Sequence, residues 1–166
     1  MRNRLALTGL FLSAFALPAM AQSNRYSATT GDVSLTSAGA TFTIQKPAVT
    51  GAQAKTPVLE SITAYCSVAC SVTQAYNGAA ATATAGTTSP LPPNTGITAT
   101  ATVWTASNVG AGTAAGGIIH IAAGGTQVID VSKVSVNGAG TAANYSVTVG
   151  SITGTVNFTF IWSEQQ

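Results

Sequence analysis

The sequence predicts an all-β protein, an antiparallel β-sandwich of jelly-roll type with roughly eight to ten short strands. Three observations carry that prediction. Apolar and polar residues alternate with period two along most of the chain, the pattern of strands with one buried face. Clusters of Gly, Pro, Asn and Asp interrupt the alternation at short intervals, as turns do. β-Branched residues dominate after residue 21, where no segment holds a helical period.

Residues 1–21 read as a secretory signal peptide. Arg2 and Arg4 give the positive start, Leu5 to Leu17 the apolar stretch, and Ala19-Met20-Ala21 the small-residue cleavage site. Gln22 rather than Cys follows, which speaks against a bacterial lipid anchor. Residues 22–166 then form a single domain, of a length that supports a hydrophobic core. Its first part, 22–36, reads as a flexible N-terminal arm. Gln22–Thr30 is polar, and a short strand follows in which Val33 and Leu35 alternate with Asp32, Ser34 and Thr36.

Further along, Ala40-Phe42-Ile44, Ile62-Ala64-Cys66 and Val68-Cys70-Val72 alternate as strands. So do Ile97 to Val103, Ile119-Ile121, Ile129-Val131 and Tyr145-Val147-Val149. Val134 and Val136 break parity with Ile129 and Val131, which predicts a bulge near Ser132–Lys133. The C-terminal run is the clearest: Ile152, Gly154, Val156, Phe158, Phe160 and Trp162 share one face, and Thr153, Thr155, Asn157 and Thr159 the other. Turn signals fall at Gly31-Asp32, Asn77-Gly78, Gly124-Gly125 and elsewhere, and Pro90 to Pro93 reads as a rigid surface connection. Gly110 to Ala115 recurs as Gly138 to Ala143, an echo that fits either loop composition or two equivalent loops.

Charge narrows the function. The whole chain carries a formal +2, but Arg2 and Arg4 lie in the leader. Beyond it, Arg25, Lys46, Lys55 and Lys133 balance Asp32, Glu60, Asp130 and Glu164. A neutral body has no electrostatic footprint for nucleic acid. Beyond the leader no apolar run reaches the roughly 18 residues of a membrane span. Near-zero charge removes the repulsion that keeps secreted proteins apart and so favours self-association.

Catalytic equipment is sparse. His120 is the only histidine and sits on the polar side of its strand, with no serine–histidine–carboxylate set evident. The four carboxylates are scattered, and neither a metal nor another cofactor is expected. Gly110-x-Gly112-x-x-Ala115 imitates a dinucleotide fingerprint, but glycines and a strand follow where a helix is required. Cys66 and Cys70 are the only cysteines, and the secreted address favours a disulfide between them. An extended chain would separate their Cα atoms by about 13 Å, against a bridging limit of about 7 Å. The bond therefore demands a bend at Ser67-Val68-Ala69, where the chain would cross between sheets.

Tyr65 and Trp104 lie opposite their strands' apolar rows and are candidates for a ligand platform, such as a sugar-stacking surface. Thr98, Thr100 and Thr102 share one strand face, an arrangement that either orders water or simply faces solvent. The leading expectation is a secreted, non-catalytic structural protein that assembles with itself into a fibre, pilus-like filament or surface layer. Val33 and Leu35 would form its assembly strand, either pairing with a neighbour or closing the chain's own sheet. The alternative is a secreted adhesive or carbohydrate-binding module whose partner is a surface polysaccharide.

Overall fold

The computed structural model describes residues 24–46, 55–77, 82–85, 87–91, 99–108, 113–136 and 143–165. Residues 1–21 (read as a signal peptide), Ile97, Thr98 and most of the Gly-Ala echo lie outside them. Among the described residues are β1 (Asn24–Thr29), β2 (Val33–Thr36), β3 (Ala40–Lys46), β4 (Thr56–Cys66), β5 (Cys70–Asn77), β6 (Thr82–Ala85) and β7 (Thr87–Leu91). They continue as β8 (Thr102–Asn108), β9 (Thr113–Ala114), β10 (Ile119–Ile121), β11 (Gly125–Ser135), β12 (Ala143–Val149) and β13 (Thr153–Gln165).

Two antiparallel sheets pack face to face. The first runs β11-β4-β13-β1-β7, with β2 also on β13; the second runs β10-β5-β12-β3-β8-β6, with β9 also on β5. Eight of these strands form a jelly roll. β1 pairs with β13, β3 with β12, β4 with β11 and β5 with β10, which makes one long antiparallel ribbon. The ribbon folds so that β13 also meets β4 in one sheet and β12 meets β5 in the other. β6 to β9 are additions between β5 and β10.

The alternation dictates which side chains meet. Phe42, Ile44, Val72, Tyr145 and Val147 from the second sheet face Leu59, Ile62, Phe158, Phe160 and Trp162 from the first, all buried. Phe42 and Phe158 touch across the interface with ring centroids 4.7 Å apart. The expected bulge is present, as a register shift between Asp130 and Val134 of β11.

The structure departs from expectation at four places. Of the strand read from Ile97, residues 97–98 lie outside the described residues; residues 100–101 bend and β8 begins at Thr102, so Thr100 and Thr102 do not share one strand. Val68 belongs to a turn rather than to a strand with Cys70 and Val72, and is partly exposed. Pro90 lies in β7, at the border of its sheet among the described residues, where a missing N–H is tolerated. The arm is not a loose leader over its described length: Asn24–Thr29 is a strand whose Tyr26 and Ala28 are buried. Two apolar positions give too faint an alternation to read, and much of the segment's ordering comes from Tyr26 stacking on Trp162, with centroids 5.7 Å apart.

Candidate functional site

Four short connections gather at one end of the sandwich: 37–39, 67–69, 122–124 and 150–152. The disulfide ties this end. Cys66 closes β4 in one sheet and Cys70 opens β5 in the other, with an S–S bond of 2.05 Å and Cα atoms 6.3 Å apart. The bend at Ser67-Val68-Ala69 is thus the sheet-to-sheet crossing that the spacing demanded. Ser67 Oγ accepts a 2.7 Å bond from the Thr155 amide, fastening the crossing to β13. Gly154 must be small here, since a Cβ would lie 2.8 Å from Val68 Cγ2 and 2.9 Å from Ser67 Oγ.

Beside the disulfide lies an open groove of about 550 Å³, lined on one side by Cys70, Ser71 and His120 and on another by Gly150 and Ser151. Ser71 and His120 are cross-strand partners on the solvent face of β5 and β10, and Ser71 Oγ lies 3.1 Å from His120 Nδ1. Sequence reading found the histidine but not this serine, because only the β5–β10 register brings them together. Among the described residues no carboxylate orients the ring from its other side. The pair offers hydrogen-bond donors and acceptors to a polar ligand.

The proposed platform residues do not converge. Tyr65 is on the outer face of the first sheet, opposite Asn157 and Thr126. Trp104 is on the outer face of the second, opposite Thr43, and its Nε1 is buried without a hydrogen-bond partner among the described residues. Neither lines the groove.

The arm is seated on the chain's own β13. Tyr26 pairs with Trp162 and Ala28 with Phe160. Val33 pairs with Val156 and Leu35 with Gly154, Leu35 buried and Val33 half-buried. The closed-sheet alternative for these residues is thus the arrangement within this single chain. Thr30 and Asp32 add side-chain bonds to Phe158 N and Asn157 Nδ2, each 3.0 Å.

Toward the other end, the inward alternation of β13 ends in a charge. Glu164 is only 2% exposed. Its Oε1 accepts bonds from the amides of Thr100 (2.7 Å) and Ala101 (2.8 Å) and from Trp162 Nε1 (3.3 Å). Its Oε2 and the Tyr26 hydroxyl are buried with no hydrogen-bond partner among the described residues. Burial raises the Tyr26 pKa above its ordinary value, and the Glu164 charge raises it further; the Asn24 side chain opposes both in part. Burial likewise raises Tyr145, whose hydroxyl donates to Gln74 Oε1. Sequence reading passed over Glu164, although one more step of the 158-160-162 alternation reaches it.

Fold and site together define a jelly-roll sandwich, charge-balanced over the described residues, with one disulfide-tied, grooved end. Among the described residues no helix is long and apolar enough to cross a membrane. Comparison with known protein families, with curated proteins and with solved structures returned no match.

Proposed function

We propose that this chain is a secreted, non-catalytic structural subunit that assembles with copies of itself into a fibre, pilus-like filament or surface layer. The observation that carries the reading is the open border of the first sheet. β11 runs eleven residues, Gly125–Ser135, and among the described residues pairs only with β4. Such an edge leaves main-chain donors and acceptors available to another strand unless charges guard it. Of the β11 residues only Asp130 and Lys133 are charged, Gly125–Ile129 carries no charge, and Val128 is 64% exposed. A charge-balanced body adds no long-range repulsion between copies. A secreted address also suits a disulfide-tied domain.

The test is negative-stain electron microscopy of residues 22–166 over a range of concentrations, with light scattering on the same samples. Regular filaments or sheets are expected. Discrete monomers at every concentration would overturn the reading. The groove favours a second reading, a binding module for a polar ligand such as a surface polysaccharide, with Ser71 and His120 in place of Tyr65 and Trp104. Retention of a Ser71→Ala/His120→Ala variant on immobilised polysaccharides, equal to that of the parent chain, would remove it.

A further inference from the structure

We infer that the N-terminal arm, residues 24–36, is an exchangeable element, and that the partner it fits is β13 of a second copy of this chain. The inference rests on the self-assembling reading above and supplies its contact.

Three observations carry it. First, the arm's bonds to the rest of the chain are transferable. β1 lies between β13 and β7, and β2 lies on β13. The Arg25–Glu60 ion pair and the Thr29, Thr30 and Asp32 side-chain bonds also run from arm to body. A second copy presents the same β13, β7 and Glu60, so exchange sacrifices none of these contacts.

Second, the hinge is short and strained. Only residues 37–39 join β2 to β3. Ser37 sits at φ 77°, a left-handed conformation that a side chain disfavours. At Gly39 the chain passes so near β12 that a Cβ would lie 2.5 Å from the Val149 carbonyl oxygen. An extended hinge that hands the arm to a neighbour relieves Ser37, whereas the closed form requires it bent. Short strained hinges favour exchange for this reason.

Third, the arm carries its own specificity. Tyr26, Ala28 and Leu35 fill inward positions of the first sheet, beside Trp162, Phe160 and Gly154. A one-residue slip would turn these side chains outward. A second copy of β13 offers the same sites in the same register.

The test uses the Thr29↔Thr159 register pair on the outer face of the first sheet. Thr29→Cys and Thr159→Cys are made in separate full-length mature chains, which are mixed, incubated below their melting temperature and oxidised. Directly opposed Cβ atoms are about 5 Å apart, within reach of a disulfide after small adjustment. The double variant T29C/T159C, prepared dilute, should cross-link within one chain and so verifies that the pair can bond. Covalent dimers joining the two single variants, with far fewer from either alone, are expected. Ser37→Gly should lower the dimer yield about fivefold, because glycine removes the strain that favours opening. If filaments form but the mixture gives no such dimer, the exchange is wrong and self-assembly by another edge stands. If neither filaments nor dimers form, both readings fall.

Discussion

Replacing Glu164 by alanine should destabilise the protein by about 3 kcal/mol, and the sum can be built from its contacts. Oε1 takes hydrogen bonds from two backbone amides and one indole. Leaving a buried donor without its acceptor costs about 1–3 kcal/mol. The amides of Thr100 and Ala101, at 2.7 and 2.8 Å, make the larger part. The indole bond at 3.3 Å contributes less. Against that loss stands the relief of removing a buried carboxylate whose Oε2 is unpaired, a cost of several kcal/mol before its hydrogen bonds are counted. About half of the gross penalty should therefore survive.

Glu164→Gln separates the two contributions. It keeps the Oε1 acceptor, removes the charge that raises the Tyr26 pKa, and places an amide where Oε2 was. Its cost should stay below about 1.5 kcal/mol, the difference between charged and neutral acceptors being partly offset by the relieved desolvation. The assay is urea unfolding at pH 7 with the disulfide intact, together with amide hydrogen exchange. In E164A the Thr100 and Ala101 amides should exchange faster than the global loss of stability explains. An E164A chain within about 0.5 kcal/mol of the parent, the scatter typical of ordinary surface changes, would refute the reasoning. So would an E164Q chain less stable than E164A.

Three further outcomes are expected. Cys66→Ala/Cys70→Ala should lose about 2 kcal/mol, as the small loop predicts, measured by urea unfolding against the oxidised parent. Stability should fall as pH rises past about 10, the ordinary tyrosine value. Folding raises the pKa of Tyr26 and Tyr145, so their contribution is complete below the unfolded value and is lost through the higher folded values. Tyr26→Phe should flatten that alkaline limb in a pH series of melts. At pH 7 it should cost under about 1 kcal/mol, whereas Tyr145→Phe, which leaves the Gln74 Oε1 bare, should cost about 1–3. Gly154→Ala should cost about 1–3 kcal/mol by crowding Val68 and Ser67, with calorimetry as the readout.

The parts of the fold legible in the sequence were those with local causes. Phe158, Phe160 and Trp162 declare β13 because each alternates with a polar residue and each is buried. The four-residue cysteine spacing implied the crossing between sheets because an extended chain could not close the bond. The parity break around Ser132 likewise implied the bulge. What stayed hidden depends on partners distant in the chain. Asn24–Thr29 has little apolar content of its own and is ordered by β13 and β7. The Ser71–His120 pair exists only through the register of β5 and β10, and Tyr65 and Trp104 fall on opposite faces because their strands belong to different sheets.

The same period-two pattern that seals the core also decides where function can reside. Inward positions are mostly consumed by packing, and polar exceptions have structural partners: Glu164 fastens the Thr100–Ala101 bend, Gln74 accepts from Tyr145 and Lys46 donates to Thr56. Outward positions are rich in threonine, a good strand former, with serine and asparagine, and give a partner little charge to recognise. What remains distinctive is main chain: the border at β11, and the arm held on β13 through a hinge strained at Ser37. Main-chain recognition is indifferent to side-chain identity, so a chain that uses it can dispense with conspicuous motifs. Its specificity then comes from register, fixed here by Tyr26, Ala28 and Leu35. Assembly built this way should survive Arg25→Ala, which removes one exposed ion pair, and should fail when Leu35→Asp puts a charge into the sandwich interior. Because the arm makes the same inward contacts in the closed and exchanged forms, the hinge at Ser37, rather than those side chains, is the feature to perturb when separating assembly from folding.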